Sequence, residues 1–235
     1  MDPLIAKLKG TDGGRILDVA TSHGDFLRLL VDSFQRHTGA IGVDMAPDRI
    51  EAARERSDGG LCFEVMNAEQ LEFEDESFDT VAMRHSLHHL ENVPAVLGEM
   101  KRVLRPGGLL IVCEVFQSPE TLQDNSQRHM HHWWAEVDRV CGVPHFETYT
   151  RQEILDIAEG LKLTDTDVFE HLEDYDDSAG HEIVKQMISI SNDCIEKLKK
   201  RGGPQELIDK GGQLIERFAR LGFSDDPVVY VLGRK

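Results

Sequence analysis

Cysteine is scarce in this 235-residue sequence: Cys62, Cys113, Cys141 and Cys194 are scattered, and no two stand in a C-x-x-C spacing. That excludes a disulfide framework and a zinc ribbon as the organising device. Cys62 and Cys113 sit in apolar runs and are expected as reduced core residues. Long hydrophobic runs are missing too. None reaches the roughly 18 residues of a membrane span, and no secretory leader pattern opens the chain, so a cytoplasmic protein with no membrane partner is expected. Positive charge is also short: Lys plus Arg is 26 against 43 for Asp plus Glu, a formal net charge of −17. A phosphate backbone needs clustered cations, so nucleic acid and an anionic membrane surface are excluded as partners. A small-molecule acceptor remains as the expected partner, with a monomer or homodimer as the assembly. Hydrophobic residues make up 40% of the chain, enough for a packed core, and the length suits one α/β domain with an appended lid.

Apolar strand-like runs alternate with helical patterns through the first half. Strands are expected at Ile16–Ala20, Ala40–Asp44, Leu61–Val65, Thr80–Arg84 and Leu109–Phe116, with helices near Phe26–Arg36, Asp48–Arg56 and Val93–Leu104. This rhythm predicts a mainly parallel sheet with helices on both faces. Arg105-Pro106-Gly107-Gly108 closes the last of these helices, because glycine supplies a positive φ and proline cannot continue a helix. The pattern then changes. Ser118–Arg139 reads as a helix rich in His and Trp, broken by Gly142-Val143-Pro144. Thr150 and Glu153 form a capping box for a short helix, and Leu163–Phe169 reads as a sixth strand. Helices at Ala179–Lys200 and Gln205–Leu221, parted by Gly202-Gly203-Pro204, precede a closing strand at Val228–Leu232. Residues 1–117 are thus expected to form the cofactor-binding core, and 118–235 a helical lid plus the last two strands of the same domain.

The most informative stretch is Arg15–Leu30, where a buried strand passes through small and polar residues into an amphipathic helix. Such a junction holds nucleotide-like ligands, with backbone N–H groups facing the polar end. Gly24 allows close approach there. Asp44, about 20 positions on at a strand's C-terminal end, can accept both hydroxyls of a ribose. Asn67-Ala68-Glu69 follows the third strand, where the Asn67 carbonyl can accept from an adenine amino group. Arg84 and His85 end the fourth.

The succession ILDVATSHGDF, IGVDMAPDRIEAAR, NAEQLEFEDESFDTVAMRHSLHHL and EMKRVLRPGGLLIVCE resembles the class I S-adenosylmethionine-dependent methyltransferases. It is most similar to the small-molecule type 11 group, which includes ubiquinone-biosynthesis C-methyltransferases. The resemblance covers about Arg15–Phe116. It implies a Rossmann-like seven-stranded, mainly parallel sheet with an antiparallel last strand, and S-adenosyl-L-methionine as cofactor. It also implies that Asp18 and the turn Ala20, Thr21, Ser22 to Gly24 surround the methionine end. Asp44 and the adjoining Met45 would lie at the ribose, Asn67, Ala68 and Glu69 beside adenine, and Arg84 beside the methionine part. Two departures stand out. Of the family's D-x-G-x-G-x-G only the last glycine remains, with Ala20 and Ser22 at the other two sites, and an adenine-side Asp is here Asn67.

A general base is needed for methyl transfer only when the nucleophile must lose a proton. His85, His88 and His89 follow the fourth strand, and His89 is carried forward as a candidate. The second cluster is Arg128–Glu136, where His129 and His132 share a helical face, as do His132 and Glu136. His132 and His129 are the leading candidates for the acceptor site, with Trp133, Trp134 and His145 beside them. Such a face could hold a divalent ion, but no metal is assigned. Adjacent tryptophans on one helix predict that at least one meets a cleft or partner surface. The run Glu170–Asp177, with five acidic residues, reads as a solvated loop. The activity expected is S-adenosylmethionine-dependent methyl transfer to a small molecule. Alternatives are a C-methyltransferase of quinone or lipid biosynthesis and a cofactor-binding regulator without catalysis.

Overall fold

The computed structural model describes residues 2–57, 59–118, 126–172, 177–222 and 225–235, without the side chains of 126, 127 and 177–179. The chain divides into two units: residues 1–114, 152–171 and 229–235 in one, residues 115–151 and 172–228 in the other.

The first unit opens with α1 (Pro3–Leu8), capped by Asp2, whose carboxylate accepts the Leu4 N–H at 2.8 Å. Pro3 takes the first helical position, where its missing N–H costs nothing. Then come β1 (Asp12–Val19), α2 (Asp25–Ser33), β2 (Arg36–Asp44), α3 (Pro47–Glu55), β3 (Cys62–Val65) and β4 (Phe78–Arg84). A single 3₁₀ turn (Leu87–His89) and α4 (Val93–Val103) lead to β5 (Leu104–Gln117). After α6 (Arg151–Gly160) the sheet is completed by β7 (Thr164–His171) and β8 (Val228–Arg234).

The strand order is β3-β2-β1-β4-β5-β8-β7. β1 pairs in parallel with both β2 and β4, and β4 with β5. β8 runs antiparallel to β5, since Gly107 N–H donates to Lys235 O and Phe116 N–H to Pro227 O. The resemblance implied that reversal. An eighth strand, the two-residue β6 (Tyr149–Thr150), adds to the end of β5 at Phe116 and Gln117, one more than expected because so short a pairing leaves no periodic signal. Ile16, Leu17 and Val19 of the central strand are fully buried. From β1 the chain turns to β2 on one side and later to β4 on the other, so a crevice opens at their C-terminal ends.

Four strands begin earlier than their apolar runs, β4 at Phe78 and β5 at Leu104 among them. β1 starts at Asp12 and β2 at Arg36, where an Asp12–Arg36 ion pair at 2.8 Å joins polar residues across the ladder. Cys62 corrects an expectation: it is exposed, whereas Cys113 is buried. β3 is an edge strand, and Phe63 is the residue it buries.

The second unit contains α5 (Ser126–Val140), α7 (Asp177–Lys200) and α8 (Gln205–Leu221). The expected helix from Ser118 is seen from Ser126; residues 119–125 lie outside the described residues, as do 173–176 of the acidic run. Its core joins Met130, Trp133 and Val137 to Ile195, Leu198, Leu207 and Phe218. Trp133 is fully buried and donates Nε1–H to Leu207 O at 2.8 Å, and Trp134 donates to Ser191 Oγ at 3.0 Å. Trp133 is thus core, while Trp134, the other candidate to meet a cleft or partner surface, is only partly buried. Neighbouring side chains on a helix diverge by about 100°, and α8 takes one indole while α7 takes the other. A Cβ at Gly211 of α8 would stand 2.2 Å from the Trp133 ring.

Candidate cofactor site

The turn after β1 is built on backbone strain. Ala20 (φ 58°) and Ser22 (φ 51°) both adopt the left-handed conformation, and Gly24 follows at φ 79°. The shape that glycines provide in the resembling family is thus kept by two residues that pay about 1–2 kcal/mol each for it. Gly24 cannot be replaced so simply, because a Cβ there would also lie 2.5 Å from the Phe63 ring. His85 (φ 49°) repeats the device at the end of β4, with its N–H donating to Cys113 O at 2.8 Å. Three strained residues thus stand at the ends of two adjacent strands, beside the crevice.

Carboxylates hold this turn from two sides. Asp18 is 1% exposed; Thr21 donates its hydroxyl to Oδ2 at 2.5 Å, and the Leu27 amide also donates to the carboxylate. Burial pushes the Asp18 carboxyl up to about 7, against the Thr21 bond and with help from the charge of Asp44. Asp18 therefore works on the turn's own groups. Asp44 accepts the Ser22 N–H on Oδ2 and the Ala46 N–H on Oδ1, both at 2.9 Å, which ties the turn after β1 to the one after β2. Each of its oxygens keeps a lone pair for a further donor. Met45 beside it is exposed.

Asn67 Oδ1 accepts the Glu69 N–H at 2.9 Å, so the turn Asn67-Ala68-Glu69 is closed by the amide expected at adenine. Arg84 ends β4 with its guanidinium over the Phe26 ring at 5.6 Å. In the 3₁₀ turn, buried His88 has a carboxylate partner: Glu114 Oε1 lies 3.0 Å from His88 Nδ1, while Oε2 accepts the Leu87 N–H at 2.7 Å. The network assigns the Nδ1 proton to the Glu114 bond, which makes Nε2 the basic nitrogen. The His89 ring is tilted against His88 with centroids 4.4 Å apart.

His129 and His132 lie in the second unit. Burial holds both imidazoles below their ordinary range; for His129 the charges of Arg217, Arg128 and Lys210 act in the same direction, and for His132 burial outweighs the nearby Glu147. Both are neutral near pH 7 and able to accept a proton. His132 Nε2 is 3.1 Å from Thr148 Oγ1, whereas Glu136 pairs with Lys210, so the shared His132–Glu136 face is not used as a pair. His145 joins His131 (Nε2 to Nε2, 3.3 Å) and Asp138 (2.9 Å).

Sequence reasoning missed Asp2, Tyr230 and Glu114. Tyr230 donates its hydroxyl to Asp2 Oδ2 at 3.0 Å, and Arg84 Nη1 lies 4.0 Å from the same oxygen. The Asp2-Pro3 pair is a helix-start signal that could have placed Asp2 on a cap. Nothing local marks Tyr230 or Glu114, because their partners are distant in sequence.

Residues 17–112 match the family described as a methyltransferase domain. The ubiquinone/menaquinone biosynthesis C-methyltransferase UbiE of Desulfotalea psychrophila is 34% identical over 106 residues, which is 45% of this chain and 43% of that protein. The chain spans about half the length of the curated relatives it matches. Among solved structures, phosphoethanolamine N-methyltransferase 2 of Haemonchus contortus, in complex with phosphomonomethylethanolamine and S-adenosylhomocysteine, superposes with a TM-score of 0.57 at 18% identity over 99% of this chain and 51% of its own. The YcgJ protein of Bacillus subtilis gives 0.58 at 18% identity, over 99% and 97%. Both likenesses concern the fold. The sheet order, the strained turn and the ordered motifs agree with the match of residues 17–112 to the methyltransferase domain family.

Proposed function

We propose that the protein transfers a methyl group from S-adenosyl-L-methionine to a small-molecule acceptor. The observation that carries this reading is the junction of β1 and β2, where the strained Ala20–Gly24 turn is fastened to Asp44. The residues present fit such a cofactor. Gly24 supplies the left-handed conformation the turn needs and packs against Phe63, and Asp44 retains acceptor capacity on both oxygens. In this reading Asp18, Ala20, Thr21, Ser22 and Gly24 shape the methionine side, Asp44 and Met45 the ribose side, and Asn67, Ala68 and Glu69 the adenine side, with Arg84 at the methionine part.

The cofactor supplies a methyl group on a sulfonium. The protein's part is alignment and exclusion of water, which is where most of the gain in an in-line displacement lies. His132, His129 and His89 are the proposed proton acceptors for a nucleophile that must be deprotonated. Depressed basicity keeps the first two in the neutral form that task requires. A second reading, C-methylation in quinone or lipid biosynthesis, is favoured by the names of the matched relatives, among them UbiE and the sterol 4-C-methyltransferase strm-1 of Caenorhabditis elegans. We further infer a cytoplasmic protein, monomer or homodimer, that binds no nucleic acid. No described helix is long and apolar enough to cross a membrane, and the charge of −17 opposes polyanions.

Calorimetry on the full chain tests the reading: saturable binding of S-adenosylhomocysteine and none of NAD is expected. With labelled cofactor and a small-molecule extract, His132→Ala should lower methyl transfer while cofactor affinity stays within twofold, roughly RT ln 2. A chain that binds no S-adenosylhomocysteine overturns the proposal.

A further inference from the structure

We propose that His131 and His145 hold a divalent transition-metal ion between their Nε2 atoms, with Asp138 orienting His145 from behind, a site independent of the cofactor reading above.

The three residues are brought together within the second unit. His131 and Asp138 are seven positions apart on α5, close to two full turns, so they share one face and lie about 10 Å apart along the axis. The chain folds back at Gly142, whose φ is 80°, and the Val143 N–H donates to Asp138 O at 2.9 Å. Arg139 donates to His145 O at 2.7 Å, which lays the His145 ring across that face. Its Nδ1 is 2.9 Å from Asp138 Oδ2, and its Nε2 is 3.3 Å from His131 Nε2. His145 is 5% exposed, so this arrangement is built into the packing of the unit.

The Asp138 carboxylate can only accept, so Nδ1 of His145 carries the proton and Nε2 presents its lone pair. A carboxylate placed in this way is the usual support of a metal-bound histidine, because it fixes the tautomer and raises the basicity of the ligand. Zinc–nitrogen bonds of about 2.0–2.1 Å at a tetrahedral angle hold two nitrogens about 3.3–3.4 Å apart. That is the separation of the two Nε2 atoms. A head-on N–H···N bond of the same length would add the radius of each ring and leave the ring centres farther apart than they are. The centroids stand 4.8 Å apart, with the planes at 77°. The nitrogens therefore converge on a point beside the line that joins them, as two ligands of one cation do. Imidazole nitrogens suit zinc, nickel or copper, whereas magnesium and calcium take oxygen ligands. A cation here fastens the segment 141–148 to α5, and that segment carries Thr148, whose Oγ1 is 3.1 Å from His132 Nε2.

The test is zinc binding to the full chain after treatment with a chelator and without cofactor, read by competition with a chromogenic indicator and by thermal unfolding. One equivalent should bind saturably and raise the unfolding temperature by mass action. His131→Gln and His145→Gln should each lower zinc affinity by more than about a hundredfold, since losing a supporting carboxylate alone costs about 10–100-fold. Asp138→Asn leaves both ligands in place and should lower it by about tenfold. Thermal unfolding without metal shows whether each variant folds. The imidazole NMR signals of the parent need no variant: zinc should shift those of His131 and His145 together. Excess magnesium should leave zinc in place. The inference is overturned if the chain binds no zinc saturably, if folded His131 and His145 variants bind it as the parent does, or if the shifted signals belong to other histidines. Displacement by magnesium would assign the ion to carboxylates and overturn it as well.

Discussion

The two units are specified by different physics. In the first, the candidate site is written in the backbone: parallel register, positive φ at Ala20, Ser22 and His85, and carboxylates that accept main-chain N–H groups. In the second, three helices are joined by side chains, with Trp133 at the centre and Trp134 on its flank. Backbone-defined sites leave short ordered motifs, because each position demands a particular conformation or acceptor. Side-chain cores tolerate exchange of one apolar residue for another, so they leave periodicity and little else.

Variants can break this contrast, and the largest effect is expected at Trp133. Trp133→Ala should cost about 3–5 kcal/mol, the range for removing a buried aromatic, read as loss of helical signal at a lower temperature. If affinity for S-adenosylhomocysteine fell in step, the two units would not be separately organised. Next is Asp18→Asn. The folded carboxyl titrates near 7, well above its ordinary 3.8, so folding favours the protonated form. Its contribution to stability is full below pH 4 and is lost as pH rises towards and through 7. The Asn variant should therefore gain stability relative to the parent at pH 8, by about 4 kcal/mol at most, and lose that advantage at pH 4. A denaturant series at the two pH values checks both ends. Asp44→Ala should weaken S-adenosylhomocysteine binding by about 1.5–3 kcal/mol; unchanged affinity by calorimetry would remove Asp44 from the ligand. The smallest effect is expected for Ser22→Gly. Relief of the left-handed strain is partly offset by greater freedom of the unfolded chain, leaving a net gain below about 1 kcal/mol in thermal unfolding.

Much of the first unit could be read from residues alone. β1 to β5 each fall on an expected apolar run, though four of them start before it, and α8 spans Gln205–Leu221 as expected. What failed did so for identifiable reasons. Cys62 looks like core because its run is apolar, but burial depends on having neighbours on both sides, and β3 has only one. Strand starts at Asp12 and Arg36 were hidden because ladder bonds use the backbone whatever the side chain. Which tryptophan enters the core was not legible, because the partners of both indoles, Leu207 and Ser191, lie far off in the sequence. At the candidate site, Asp44 and Gly24 were legible. The bond from Tyr230 to Asp2, which joins the two ends of the chain, was not.

Gly211 carries a last consequence. A glycine inside a helix is ordinarily the first position to improve, since alanine there gains about 1 kcal/mol. In α8 that improvement is blocked, because the Trp133 ring already occupies the space where a methyl group would go. The two positions are therefore historically bound. A lineage that keeps the indole must keep the glycine, and one that trades the indole for a smaller side chain is free to fill the helix. Divergent relatives of this unit should then change at both places together or at neither.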